Sequence, residues 1–179
     1  DPQINLIDPK TMRELPKSHS NDSPGAQTDP RLRFVFQKEG EYLVEVRDVS
    51  YRGGDDFHYR LRMGDFPMAT SPIPMAMKRG TKGNINFAGP AVETALSQEV
   101  VAPVDPLLDS IWIAPKGKSG LTGWPVCVLL SDLTEAMELE PNNDPAKANK
   151  IAIPSAITAR LLEKGDLDHF SFTAKKDQR

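Results

Sequence analysis

The fold class predicted by the sequence is all-β, in the form of antiparallel β-sandwich packing, and two observations carry that prediction. Sixteen prolines and twelve glycines are spread along 179 residues without a period. That density interrupts long helices and suits short strands joined by turns. Between Arg31 and Met63, three short runs alternate apolar and polar residues in the two-residue rhythm of half-buried strands. Adjacent amphipathic strands with short connections form an antiparallel meander, and its apolar face needs a second sheet to cover it.

Taken in order, Ile4-Asn-Leu-Ile7 is a first strand candidate, and Leu15 to Pro30, rich in Ser, Asn, Asp, Pro and Gly, is expected to be a long exposed loop. In Arg31 to Phe36 the inward set is Leu32, Phe34 and Phe36. After a turn at Lys38-Glu-Gly40, Glu41 to Val46 turns Tyr42, Val44 and Val46 inward. A loop at Tyr51 to Asp56 leads to Phe57-His-Tyr-Arg-Leu-Arg-Met63. There Phe57, Tyr59, Leu61 and Met63 face the core, while His58, Arg60 and Arg62 face water. Phe66-Pro67 and the Pro72-Ile-Pro74 pair remove backbone donors and mark a boundary. Beyond it, strands are expected at Asn84 to Phe87, Ser110 to Ile113 and Pro125 to Leu130, and Ala91 to Val101 fits a short helix or a strand equally. A second boundary falls near Thr134, followed by strand candidates at Ile157 to Leu161 and Asp168 to Phe172. The resulting division is 1–65, 66–134 and 135–179.

Composition narrows the function classes. The 39% hydrophobic and 26% charged fractions are ordinary for a folded globular chain. A net charge of −3, with basic residues scattered among acids, argues against a nucleic-acid surface. No stretch approaches the roughly 20 apolar residues of a membrane-spanning helix, and no charged-then-apolar leader opens the chain. The start at Asp1 and the stop just after a strand-like run suggest a portion of a longer protein. Cys127 lies in the apolar run Val126 to Leu130 and is expected to be a small buried hydrophobe. His19, His58 and His169 have no metal-ligand spacing and are expected to be solvated. Trp112-Ile-Ala-Pro-Lys-Gly-Lys-Ser119 lacks the first glycine of a phosphate loop, and no Gly-x-Ser-x-Gly elbow occurs. The chain is therefore expected not to be an enzyme. Trp112 and Trp124 fit either a sugar- or peptide-binding surface or, more commonly, a core. Asn21-Asp-Ser23 matches a glycosylation sequon, too short a motif to carry weight.

The most chemically loaded stretch is Glu138-Leu-Glu-Pro-Asn-Asn-Asp144, with Gly165-Asp-Leu-Asp168 downstream. Hard divalent cations such as calcium take six to eight oxygen ligands from carboxylates and amide carbonyls. In an extended segment Glu138 and Glu140 point the same way, and a turn begun by Pro141 can curl Asn142 and Asp144 toward them. Asp166 and Asp168 also share a face. A solvated acidic linker fits the same spacing, and no EF-hand loop is present.

The residues Glu138 to Ala148, then Ile157 to Leu161, then Gly165-Asp-Leu-Asp-His-Phe-Ser-Phe172 resemble the opening of a bacterial pre-peptidase C-terminal domain. Thr28 to Phe36, Gly40 to Val46 and Phe57 to Met63 resemble the closing half of the same family, so the order is reversed. The resemblance implies tandem copies in a large exported protein, with 1–65 ending one jelly-roll-like sandwich and 135–179 beginning the next; the middle is uncovered. It implies a secreted or cell-envelope, non-catalytic accessory or binding module, beside a peptidase such as a subtilase-type serine protease. The alternatives are a structural spacer or a fragment of a secreted hydrolase whose catalytic domain lies outside this chain. The implied cofactor is calcium, with ligands Glu138, Glu140, Asn142 and Asp144 and with Asp166 or Asp168 completing the shell. The implied partner is an extracellular protein or polysaccharide. Relatives that bind collagen use a tyrosine cluster with no counterpart here, so collagen is not the expected ligand. The reversed order suggests that 138–179 packs on 1–65, within one chain or between two.

Overall fold

A computed structural model describes residues 1–23 and 27–177. Residues 24–26 of the expected 15–30 loop, and 178–179 of the last segment, lie outside the described residues. The chain is all-β: thirteen strands and one 3-10 turn at Pro145–Lys147 are present among the described residues, with no α-helix. No helix there is long and apolar enough to cross a membrane. The chain divides into two compact units, 1–71 with 88–96 and 115–124, and 72–87 with 97–114 and 125–179. Of the middle segment 66–134, residues 66–71, 88–96 and 115–124 thus belong to the first unit and 72–87, 97–114 and 125–134 to the second.

In the first unit, β1 (Pro2–Asp8) is the centre of an antiparallel sheet between β2 (Arg13–Ser20) and β3 (Leu43–Asp48). β2 replaces part of the expected 15–30 loop. Its Pro16 lacks a backbone donor, which is tolerated because β2 is an edge strand. The register between β1 and β2 shifts between Asn5 and Ile7. There the buried Ser18 hydroxyl donates to the Leu6 carbonyl at 3.1 Å and accepts from the Leu6 amide at 3.3 Å, satisfying the backbone groups that the bulge leaves over. Gln3 and Asn5 are buried polar residues with partners. The Gln3 amide donates to Asn5 Oδ1 at 3.1 Å, and Asn5 Nδ2 donates to Glu45 at 2.8 Å.

β3 keeps the expected phase, with Tyr42, Val44 and Val46 half-buried and Leu43 and Glu45 exposed. The runs 31–36 and 57–63 do not become strands. The first is tied by its aromatics instead: Phe36 packs edge-on against Phe34, with centroids 5.0 Å apart, and tilted against Tyr42 at 4.6 Å. The second is held by arginine, since Arg62 donates to the Thr122 carbonyl at 2.5 Å and sits over the Phe66 ring. Phe36 of the first run and Phe57, Tyr59, Leu61 and Met63 of the second, all expected inward, are exposed, while Arg62, expected to face water, is half-buried. Alternation specifies a face, and a strand also needs a neighbour to complete its ladder. Pro67 and Gly123 are in tight contact: a Cβ on Gly123 would lie 2.1 Å from the Pro67 carbonyl oxygen, so only glycine fits.

The second unit holds β4 (Ser71–Ile73), β5 (Ala76–Lys78), β6 (Lys82–Ala88), β7 (Gln98–Val101), β8 (Ser110–Ile113) and β9 (Val126–Ser131), with only the ends of β4 and β6 outside it. They form two three-stranded sheets, ordered β4-β6-β7 and β5-β9-β8. β7 resolves the 91–101 ambiguity in favour of a strand over its last four residues. The two sheets share one apolar cluster of Met77, Ile85, Ala102, Val128 and Leu130, lined by Phe87, Val100, Ile111 and Ile113. Along β9, Val126, Val128 and Leu130 are buried, while Leu129 is 55% exposed. Cys127 lies on that outer face, half-buried rather than in the core, opposite Trp112 of β8. Trp112 and Trp124 are exposed at 66% and 51%, against the commoner expectation of a core role.

The remaining strands are β10 (Thr134–Met137), β11 (Asn149–Lys150), β12 (Ser155–Thr158) and β13 (Phe170–Ser171), all in the second unit. β10 pairs with β12 and β11 with β13, both in parallel, as does β5 with β9. The expected strands 157–161 and 168–172 are therefore present as shorter segments, one displaced toward the N-terminus and one centred where expected.

Candidate metal centre

Two parallel pairings assemble the acidic residues. β10 runs beside β12 from Thr134↔Ser155 to Met137↔Thr158, and the Glu138 amide extends the ladder to the Thr158 carbonyl at 3.0 Å. This places Glu138 at the end of β12, where one carboxylate oxygen accepts from the Arg160 amide at 2.9 Å. The chain then turns through the cis Glu140–Pro141 bond and the 3-10 turn into β11. The Asn149 side chain clasps Leu139 from both sides: Leu139 N donates to its Oδ1 at 2.6 Å, and its Nδ2 donates to the Leu139 carbonyl at 2.8 Å. The Asn149 amide bonds the His169 carbonyl at 2.9 Å, so the β11–β13 pairing carries Asp168 and His169 to the 138–142 loop.

The result is a group of three carboxylates. One oxygen each from Glu138, Glu140 and Asp168 lie within 4.8 Å of one another. Asn142 sits among them with no exposed surface. Its amide N–H donates to Glu140 Oε2 at 2.8 Å, and its Nδ2 donates to Glu138 Oε1 at 2.8 Å. Asn142 Oδ1 and Asp168 Oδ1 are buried without a hydrogen-bond partner. The Asp168 carboxyl is pushed above the ordinary 3.8, first by burial and then by the negative charges of Glu138, Asp166 and Glu140.

The six residues singled out in the sequence have separate fates. Glu138, Glu140 and Asp168 converge, with Asn142 beside them. Asp144 instead caps the 3-10 turn, accepting from the Ala146 amide at 2.9 Å. Asp166 organises the 162–167 turn, where its carboxylate accepts from the Leu162 amide at 2.5 Å and the Leu167 amide at 3.1 Å. Sequence reasoning missed His169, expected to be solvated. It is half-buried, and its Nδ1 lies 3.1 Å from the Asn142 carbonyl. Its place next to Asp168 was the available signal. His19 and His58 are exposed as expected.

Three clustered carboxylates and an unpaired amide oxygen form an all-oxygen donor set. That is the chemistry of calcium or magnesium rather than of a soft metal. The two orphaned buried oxygens are the test of fit, because a burial cost without a partner is relieved by contact with a cation. No protein-family model, curated protein or solved structure matches the chain.

Proposed function

We propose that the chain is a non-catalytic, β-sandwich accessory or binding module of a secreted bacterial protein, of the pre-peptidase C-terminal kind, held together by calcium. The observation that carries the reading is the convergence of Glu138, Glu140 and Asp168 within 4.8 Å, beside a fully buried Asn142 whose Oδ1 has no partner. Calcium supplies two positive charges to a site with three negative ones, and water completes the six to eight oxygens it takes. Glu138 and Glu140 would anchor it from the end of β10 and Asp168 from the entry to β13, tying the two short parallel pairings together. Asp144 and Asp166 stay in their turns and hold the loops in shape. In this reading the parent's peptidase activity lies outside the chain, and the module meets an extracellular protein or polysaccharide.

The experiment is a calcium titration followed by thermal unfolding. Extracellular calcium modules bind at about 0.1–1 mM. At about 10 mM calcium such a site adds about 1.4–2.7 kcal/mol. At about 2–4 °C per kcal/mol for a chain of this size, the melting temperature rises by about 3–10 °C over chelator, with magnesium at the same concentration doing much less. An unchanged melting temperature at millimolar calcium would sink the proposal.

A further inference from the structure

We infer that His169 is the positioning residue of the calcium site, setting its affinity through Asn142; this rests on the calcium reading above. A carbonyl oxygen only accepts hydrogen bonds, so the 3.1 Å contact between His169 Nδ1 and the Asn142 carbonyl requires the proton on Nδ1. That bond is the third tie on Asn142, after those from its amide N–H to Glu140 and from its Nδ2 to Glu138, both at 2.8 Å. The main-chain N–H and main-chain carbonyl of Asn142 are held by Glu140 and by the imidazole, which fixes the backbone at this position, and the Nδ2 bond to Glu138 then sets the side-chain amide. In that orientation the buried Oδ1 has no protein partner. His169 is fixed in turn, because its own carbonyl accepts the Asn149 amide at 2.9 Å in the β11–β13 ladder. It follows Asp168 directly, so one residue locks the 138–142 loop to the strand that delivers the third carboxylate. Outer partners of this kind change metal affinity by about 10–100-fold when removed.

The test compares three substitutions by calorimetric titration with calcium chloride, alongside unfolding in chelator. His169→Ala removes the donor and is expected to raise the calcium Kd about tenfold. His169→Asn carries an amide nitrogen where Nδ1 stands and is expected to restore most of the affinity. His169→Gln, one carbon longer, is expected to restore little. An unchanged Kd for His169→Ala, or a His169→Asn variant as weak as His169→Ala, overturns the inference while the calcium reading stands. If His169→Ala does not fold, the Asn and Gln pair decides the matter in the same way. An unaltered chain that takes up no calcium at millimolar concentration overturns both.

Discussion

Asp168→Asn is expected to do opposite things with and without calcium. In the ion-free protein the Asp168 carboxyl is held above 3.8 by burial and by the charges of Glu138, Asp166 and Glu140. The folded state therefore resists its ionisation, and ion-free stability falls as pH rises through the window above 3.8. Asparagine keeps the shape of the neutral acid and removes that cost, so in chelator at pH 7 the variant melts above the unaltered chain. With calcium the order reverses, because one of three anionic ligands is gone. For a Kd of about 0.3 mM, about 10 mM calcium raises the unaltered chain by about 2 kcal/mol, or about 4–8 °C. A variant binding about tenfold more weakly gains only about 2–3 °C from the same calcium. The assay is differential scanning calorimetry of both chains in chelator and in calcium, at two pH values. A variant that melts below the unaltered chain in chelator, or that gains as much from calcium, refutes the reasoning.

Two further outcomes test the fold. Ile85→Ala, at a fully buried core position, is expected to cost about 2–5 kcal/mol, whereas Leu129→Ala, on the exposed face of β9, stays within about 0.5 kcal/mol; denaturant titration reads both. Asp48→Asn is expected to lower the melting temperature at pH 7. Arg52 holds the Asp48 carboxyl well below its ordinary range, and the carboxylate also accepts from the Ser50 and Arg52 amides at 2.9 and 3.2 Å. Its stabilising effect is present above 3.8 and is lost as pH falls below that value, so the two chains converge in acid.

What could be read from the sequence depended on whether one face of a segment was distinguishable from the other. Val44-Glu-Val-Arg47 alternates apolar and charged residues, and its phase is legible there. Val126 to Leu130 is apolar throughout, so nothing in it said that Cys127 and Leu129 face outward; that follows from the β8 and β5 registers. Phe57 to Met63 has a clear face, yet a strand also needs a ladder partner, which spacing does not supply. β2 was hidden by Pro16, whose missing donor matters only once the strand's edge position is known. In the acidic stretch, the two-residue spacing placed Glu138 and Glu140 together. The choice of Asp168 over Asp166 depends on the β11–β13 pairing, and Asp144 is engaged as the cap of the 3-10 turn.

The most direct test of the calcium claim is a crystal structure grown in calcium. The expected result is one ion at about 2.3–2.6 Å from oxygens of Glu138, Glu140 and Asp168 and from Asn142 Oδ1, with water filling the remaining positions. A crystal in millimolar calcium with only water among those four residues would contradict it.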